Sequence, residues 1–278
     1  MGRLFRAFLC AVAGLVLGVS IFVGLVQSGL VRNPLGPVIR GDIELARSDR
    51  DGERVLFVGN SFTFRNAMPA LVHGLAEADD GSMPIFAVQY TAPRWSLKKA
   101  SEDEGLQNLL EDVRWDVVVL QEKSWFLSLS AEDRRKETYP FARDLQREIA
   151  LAGGRTMLFM TWGYKDGDRW NWPGDTFDAM QARLAEGYSE LAGELSAEIA
   201  PVGLAWAEAR RRQPGIDLWA DDGKHPSRLG SYLAACVFYA SLTGRDPARS
   251  GFTGDLAPAE ARFLQDVAAD VVGARAAA

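Results

Sequence analysis

The sequence is poor in the residue types that most often bind metals. Its 278 residues include two cysteines and two histidines, and none of them forms a cluster with the short spacing of a zinc site. Cys10 lies in an apolar N-terminal segment and Cys236 in a predicted buried helix, so we expect no disulfide between them. The sequence therefore favours a chemistry that needs neither a metal nor a cofactor.

Basic runs are also absent, and the net charge is -6 at pH 7. Proteins bind nucleic acid through clustered Lys and Arg that neutralise phosphates, so we expect no nucleic-acid partner. The composition, 47% apolar and 24% charged, is that of a globular chain. Its length beyond the N-terminal segment suits one domain with a large core.

One long uncharged run is present near the start of the chain. Ala7 to Val26 are 20 residues without a charge, and they follow Arg3 and Arg6. A bilayer-spanning helix needs about 20 such residues, whereas the core of a signal peptide has about 7–15. We therefore predict a signal anchor over residues 1–30 that holds the chain at a membrane, with a cleaved signal as the alternative. In either case the rest of the chain would lie outside the cytoplasm, in the periplasm or cell envelope, because the basic start stays inside.

The remainder of the chain divides into a linker and one domain. Residues 31–52 are rich in proline, glycine and mixed charge, which predicts a linker. Residues 53–278 contain short apolar runs that alternate with helical patterns. Five of these runs predict strands: Val55–Val58, Ile85–Gln89, Val117–Leu120, Thr156–Met160 and Glu198–Val202.

Seven helices are predicted between and after these strands: Met68–Ala78, Gly105–Val113, Glu132–Ala152, Phe177–Ser196, Leu204–Arg212, Ser227–Leu242 and Pro258–Ala274. The alternation of strands and helices predicts an α/β domain, a three-layer α/β/α sandwich with a mainly parallel five-stranded sheet. In such sheets ligands bind beyond the carboxyl ends of the strands.

The first of these strand ends carries small polar residues, in the stretch 56-LFVGNSFTF-64. Gly59 permits a tight turn, Asn60 can hold that turn through its side chain, and Ser61 then projects into the crevice. Ser61 could cap a helix, bind phosphate or act as a nucleophile. The glycine-rich pattern of a phosphate loop does not follow, so phosphate binding is the weakest of the three.

A nucleophilic serine needs a base, and only His73 and His225 are available. His73 lies inside a predicted helix among apolar neighbours, which indicates a packing role. His225 stands in D-x-x-H-P ahead of a predicted helix, with Asp222 three residues before it. Asp222 could accept from one ring nitrogen and leave the other free to take a proton from serine. Asp221 is an alternative to Asp222, and a plain turn with a helix cap is the competing interpretation.

These two motifs together carry a resemblance. G-N-S at residues 59–61 and D-x-x-H-P at residues 222–226 resemble the first and last blocks of the SGNH (GDSL-like) hydrolase superfamily. The resemblance implies a flavodoxin-like three-layer fold and an esterase in which Ser61 is the nucleophile. It also implies that Asp222 and His225 complete a catalytic triad.

The middle blocks depart from the usual pattern of that superfamily. The second block normally offers a glycine N–H to the oxyanion, but Arg94 or Trp95 occupies that place here. The third block normally offers an Asn side chain, for which Gln121 is the best candidate and Ser124 a weaker one. We therefore predict an oxyanion hole made by the Ser61 N–H and Gln121. The form L-Q-E-x-S resembles a DUF4886-like branch of the superfamily.

Aromatic residues crowd the loop over residues 161–175, at the same predicted edge of the sheet. Trp162, Tyr164, Trp170 and Trp172 could line a rim for sugar rings or acyl chains, or could only pack the loop onto the domain. Trp206 and Trp219 are predicted to lie in the core. The sequence thus indicates an ester substrate, with a carbohydrate ester as one class. The alternatives are an O-acyltransferase with the same triad and a glycan-binding protein on a degenerate hydrolase fold.

Overall fold

The structure, a computed structural model, describes residues 36–276. A six-stranded sheet runs through this part of the chain in the order β1-β3-β2-β4-β5-β6. Its strands are β1 (Val38–Arg40), β2 (Glu53–Gly59), β3 (Ile85–Thr91), β4 (Val117–Leu120), β5 (Arg155–Phe159) and β6 (Glu198–Ala200). All neighbours pair in parallel except β1, which pairs antiparallel with β3. The prediction of a mainly parallel sheet is confirmed, but the sheet has six strands and not five.

The additional strand lies within the range predicted as a linker. Strand β1 pairs with the free edge of β3, and a short helix, α1 (Ile43–Arg47), follows it. The guanidinium of Arg54 in β2 donates to the backbone oxygens of Ala46 at 2.9 Å and Ser48 at 2.7 Å. Residues 38–48 are therefore attached to the sheet by backbone pairing and by one arginine, although their composition is that of a loop.

Within residues 36–276, ten further α-helices accompany the sheet: α2 (Ser61–Phe64), α3 (Met68–Glu77), α4 (Leu97–Ser101), α5 (Glu104–Asp112), α6 (Ala131–Glu137), α7 (Tyr139–Leu151), α8 (Phe177–Leu195), α9 (Val202–Arg212), α10 (Arg228–Thr243) and α11 (Pro258–Ala276). Helix α10 contacts α3, α9 and α11, whereas α7 contacts α4, α5, α6 and α8. Every residue from Val55 to Val58 and from Val117 to Leu120 is at most 1% exposed. Because successive side chains of a strand point to opposite faces, both faces of the sheet are covered and the domain has three layers.

The helix predicted over Glu132–Ala152 is two helices in the structure. Helix α6 ends before Thr138 and α7 begins at Tyr139, with Pro140 in its first turn. Proline has no N–H to donate to the preceding turn, so it is tolerated at a helix start and interrupts a continuous helix.

The loops after β2, β4 and β5 lie on the same side of the sheet, because the carboxyl ends of parallel strands point in the same direction. Within residues 36–276, no helix is long and apolar enough to span a membrane. The anchor predicted over residues 1–30 lies outside the described residues.

Candidate functional site

Three side chains from the two ends of the domain form one hydrogen-bonded chain. The Ser61 Oγ lies 2.8 Å from the His225 Nε2, and the His225 Nδ1 lies 2.5 Å from the Asp222 Oδ2. In the tautomer that suits both contacts, Nδ1–H donates to Asp222 and Nε2 accepts from the serine hydroxyl. The structure thus brings together the three residues that the sequence singled out.

Asp222 is held in place by its own loop. Its Oδ1 accepts from the backbone N–H of Lys224 and of His225, both at 2.9 Å, and Gly223 between them has a φ of 66°. Burial opposes the charged carboxylate, but the bonds from the His225 ring and from these two N–H groups outweigh it and lower the pKa of Asp222 to about 2. The side chain therefore faces His225 as a carboxylate at neutral pH.

The loop that carries His225 is fixed on both sides. The His225 oxygen accepts from the Ala220 N–H at 2.8 Å, and the indole of Trp162 donates to the Lys224 oxygen at 3.0 Å. Ser227 then caps α10 by accepting from the Gly230 N–H. The predicted start of a helix after Pro226 is confirmed, and it fixes the chain directly behind the imidazole.

The Ser61 loop has no room for a side chain at its first residue. A Cβ on Gly59 would lie 2.6 Å from both the Gln121 Oε1 and the Thr63 Oγ1. Asn60, which is 3% exposed, accepts from the Phe62 N–H at 3.1 Å and so begins the short helix α2. The turn is therefore as tight as the sequence predicted, and Ser61 stands at its exposed end.

Gln121 does not occupy the position predicted for it. Its Oε1 accepts from the Asn60 N–H at 2.9 Å and from the Thr63 hydroxyl at 3.0 Å, and its Nε2 donates to the Glu122 backbone oxygen. The side chain is 1% exposed, and one of its two amide N–H groups is engaged inside the domain. In this geometry the amide supports the loop under Ser61, and the oxyanion role of Gln121 stays a prediction from the sequence.

Glu122, which was not predicted as a site residue, joins the loop after β4 to the start of α4. It is 1% exposed, and its Oε1 accepts from the N–H of Leu97 at 3.1 Å and of Lys123 at 2.6 Å. Burial raises the pKa of Glu122 to about 7, although these two hydrogen bonds oppose the rise. In the sequence Glu122 is visible only as the E of L-Q-E-x-S. That its side chain is buried could be seen only once the fold was known.

In the loop after β3, a residue other than glycine adopts a backbone conformation that favours glycine. Arg94 has a φ of 60°, in the left-handed region that favours glycine. The Trp95 oxygen accepts from the Asn60 Nδ2 at 2.9 Å, which holds this loop beside the Ser61 loop. The Trp95 N–H donates to the Ala92 oxygen, whereas the N–H groups of Arg94 and Ser61 have no hydrogen-bond partner in residues 36–276.

Most of the aromatic residues near the site pack under it. Phe62 stacks on Trp162 at a centroid distance of 4.8 Å, and Trp162 stacks on Trp206 at 4.0 Å. Trp206 and Trp219 lie in the core, as predicted. Of the four aromatic residues in the loop over residues 161–175, Trp162 and Tyr164 are buried and Trp170 is 92% exposed. That loop is joined to the His225 loop by the Lys165 N–H, which donates to the Gly223 oxygen at 2.8 Å.

The remaining candidate residues lie elsewhere. Ser124 bonds the hydroxyl of Tyr164 at 2.7 Å. His73 lies on α3, where its Nδ1 is 2.8 Å from the Ile85 oxygen, so it does not meet Ser61. Cys236 is a free, buried cysteine. In the described part of the chain, no group of three or more His, Cys, Asp or Glu could hold a metal ion.

No protein-family model and no curated protein matches the chain, whereas solved structures do. A protein from Slackia heliotrinireducens, described as a candidate SGNH hydrolase, is 26% identical with a TM-score of 0.57, over 69% of this chain and 99% of its own. A DUF4886 family protein from Bacteroides uniformis is 21% identical with a TM-score of 0.67, over 80% of this chain and 95% of its own. LAE5, an alpha/beta hydrolase enzyme from the metagenome of Lake Arreo, is 14% identical with a TM-score of 0.53, over 68% and 94%.

The Bacteroides uniformis and Lake Arreo proteins are similar to this chain in fold. The Slackia heliotrinireducens protein adds similarity in sequence over nearly its whole length. The Slackia heliotrinireducens structure confirms the resemblance to the SGNH hydrolases that the sequence motifs predicted, whereas the DUF4886 family protein is similar to this chain in fold.

Proposed function

We propose that this chain is a serine esterase that cleaves an ester through Ser61, His225 and Asp222. One observation supports this most directly, the 2.8 Å separation between the Ser61 Oγ and the His225 Nε2, which is the distance that proton transfer from a nucleophile to its base requires. The similarity to a candidate SGNH hydrolase supports the broader class of hydrolases.

In the proposed reaction the Ser61 Oγ attacks the ester carbonyl carbon while the His225 Nε2 takes the hydroxyl proton. The carbonyl π electrons move to oxygen, and the resulting tetrahedral intermediate collapses when His225 returns the proton to the leaving alcohol. A water molecule then repeats the sequence on the acyl-serine, and releases the acid and the free hydroxyl. Asp222 holds the ring in the required tautomer and stabilises the imidazolium that forms in both halves.

For the oxyanion we propose two backbone donors, the N–H groups of Ser61 and Arg94. Both groups are free of other partners in residues 36–276, and the bond from Asn60 to the Trp95 oxygen holds their loops side by side. The loss of one such donor costs about 10²–10³ in rate. The departure from a glycine in the second block thus need not remove activity, because the Arg94 backbone adopts a glycine-like conformation.

A carbohydrate ester is the substrate class that we propose. The exposed indole of Trp170 lies on the loop that is bonded to the Asp222–His225 loop through Lys165 and Gly223, and an aromatic face of this kind suits a sugar ring. Trp170→Ala should raise KM for an acetylated oligosaccharide and leave the hydrolysis of a simple acetate ester unchanged. An equal effect on both substrates, or on neither, would contradict this assignment.

A fluorophosphonate probe tests the nucleophile directly, because it forms a covalent bond only with an activated serine. The full chain should be labelled, whereas Ser61→Ala and His225→Ala should not. Ser101→Ala is the matched control, since its hydroxyl donates to the Lys98 oxygen on the surface of α4, and it should be labelled like the wild type. Labelling of Ser61→Ala would remove Ser61 as the nucleophile. Absence of both labelling and ester turnover in the wild type would favour a binding protein.

From the sequence alone we also propose that residues 1–30 anchor the chain with its domain outside the cytoplasm. Fractionation of cells followed by N-terminal sequencing of the chain would test this. An intact N-terminus in the membrane fraction is expected. A chain that begins after residue 26 in the soluble exported fraction would indicate a cleaved signal, and an intact soluble chain in the cytoplasm would contradict export.

A further inference from the structure

The turn that follows Ser61 reaches across to the loop of the base. Asn66 lies in the 3₁₀ turn Arg65–Ala67, and its Nδ2 is within hydrogen-bond distance of three acceptors. These are the Pro226 oxygen at 3.2 Å, the Ser227 oxygen at 3.0 Å and the Ser231 Oγ at 2.9 Å. One amide group therefore contacts the two residues that directly follow His225 and the first turn of α10.

The backbone at this point is held in an unfavourable conformation. Asn66 and Ala67 both have a φ of 52°, in the left-handed region where residues other than glycine are uncommon. Asparagine tolerates this region better than alanine does. Two successive residues of this kind persist only where surrounding contacts fix them, and the bonds of the Asn66 side chain join this turn to the residues that follow His225.

The Asn66 side chain is connected to both Ser61 and His225 through short segments of backbone. Helix α2 links Asn66 to Ser61, because the Arg65 N–H donates to the Ser61 oxygen. On the other side, Pro226 is covalently joined to His225. A second and weaker contact runs parallel to this one, since the Ser231 hydroxyl lies 3.4 Å from the Arg65 oxygen. The nucleophile and the base are thus each one short segment away from the same side chain.

We propose that Asn66 is a positioning residue that fixes the distance between the Ser61 Oγ and the His225 Nε2. The proposal rests on the proposed function, because it assigns Asn66 a role in the reaction of Ser61 and His225. The two loops come from opposite ends of the domain, and no other side chain of the Ser61 turn bonds the backbone that follows His225 in residues 36–276. A displacement of about 1 Å between reacting groups can cost about 10²-fold in rate.

Asn66→Gly is the most informative variant, because glycine favours the left-handed backbone and removes the side chain that carries the amide. We expect kcat for an activated short acyl ester, and the rate of fluorophosphonate labelling, to fall about 10–100-fold. KM should change less than about twofold, since the substrate contacts are untouched. Ala67→Gly is the matched control: it changes the neighbour with the same φ and leaves the amide in place, so kcat should match the wild type.

Asn66→Asp provides a second variant of nearly the same shape. Its carboxylate would face the Pro226 and Ser227 oxygens, so we expect a loss of kcat at least as large as in Asn66→Gly. Melting curves for all three variants show whether each is folded at the assay temperature. A purely structural role would lower the melting temperature and leave kcat of the folded enzyme unchanged.

The outcomes separate this proposal from the proposed function. If Ser61→Ala is still labelled, Ser61 is not the nucleophile, and if the wild type shows neither labelling nor ester turnover, the proposed function is wrong, whatever Asn66 does. If the wild type is active and folded Asn66→Gly has wild-type kcat, the positioning role is overturned and the function stands. It is overturned equally if both Asn66 variants fail to fold while Ala67→Gly folds, because Asn66 would then act on stability.

Discussion

The Gln121 Oε1 lies 2.9 Å from the backbone nitrogen of Asn60, 61 positions earlier in the chain. The end of β4 thereby holds the loop at the end of β2, and Ser61 is the next residue after the one that is held. The Gln121 amide, which the sequence motifs predicted to contact substrate, lies beneath the loop and supports the backbone next to Ser61.

Gln121→Ala should therefore affect stability first. It would leave the Asn60 N–H and the Thr63 hydroxyl without their acceptor in a buried place, which costs about 1–3 kcal/mol for each unsatisfied group. We expect the free energy of unfolding, measured with urea, to fall by about 2–6 kcal/mol. A variant with wild-type stability and a kcat reduced more than about 10²-fold would instead restore Gln121 as an oxyanion donor.

Gly59→Ala should disrupt the same loop by its volume. The added Cβ would lie 2.6 Å from the Gln121 Oε1, so Gln121 or the Ser61 loop must move. Overpacking of this kind costs about 1–3 kcal/mol, and the displaced serine should lower kcat as well. Gly193→Ala is the matched control, because a Cβ there meets nothing within 4 Å and alanine favours the helix. A crystal structure of Gly59→Ala with an unmoved Ser61 would contradict the expectation.

Asp222→Asn should reduce kcat by about 10³–10⁴ and leave the fold intact, because asparagine would stabilise the wrong imidazole tautomer. The pKa of Asp222 is lowered to about 2. A lowered carboxyl pKa contributes stability above its unfolded value, near 3.8, and loses it as pH falls through about 2. The Asp222 carboxylate should therefore stay ionised from about pH 5 to about pH 8, so the loss of kcat in Asp222→Asn is expected at both ends of that range.

Asp221→Asn is the control for that experiment, since Asp221 is the neighbouring carboxylate and no hydrogen bond joins it to His225 in the described residues. Its kcat should stay within about twofold of the wild type. A larger loss in Asp221→Asn than in Asp222→Asn would exchange the two roles.

Glu122 should make the stability of the domain depend on pH. Its pKa is raised from 4.5 to about 7, so the folded state binds a proton that the unfolded state releases. Stability therefore falls as pH rises from about 4.5 to about 7, by up to about 3 kcal/mol. Glu122→Gln should remove this decline, whereas Glu102→Gln, on the surface, should retain it. If the free energy of unfolding of the wild type and of Glu122→Gln differed by the same amount at every pH, Glu122 would not titrate in this range.

Arg94→Gly should leave kcat within about twofold of the wild type, because the proposed donor is the backbone N–H and glycine favours the observed φ. Glycine removes the backbone strain of a left-handed arginine, which stabilises the fold, but its greater freedom in the unfolded chain destabilises the fold. The two effects oppose each other, so the free energy of unfolding should change by less than about 1 kcal/mol. A fall in kcat/KM of more than about tenfold would show that the guanidinium itself contacts the substrate.

Much of the fold was predictable because it depends on local pattern. The run Val117–Leu120 is a strand with the predicted bounds, since four successive apolar residues between polar ones suit a strand buried on both faces. Strand β1 was not predicted, because it is three residues long, only partly buried and defined by its antiparallel partner. Its existence depends on the edge of β3 and not on its own composition.

The site divides in the same way. Ser61, Asp222 and His225 were found because the chain has only two histidines and because the two motifs that carry these residues are short. That they meet is now seen in the structure, and their catalytic role stays a prediction. Gln121 and Asn66 were misjudged or missed because the direction of an amide depends on partners 61 and 160 positions away. No local pattern encodes such a partner.

The attachment of β1 and α1 determines where the chain can be cut. A fragment that begins at residue 53 would open the hydrogen-bonding edge of β3 and deprive the Arg54 guanidinium of its acceptors in α1 and the following turn. An unprotected edge of this kind is a template for intermolecular pairing, so such a fragment should aggregate during refolding. Proteolytic release of a working domain from any upstream segment must therefore occur before Val38.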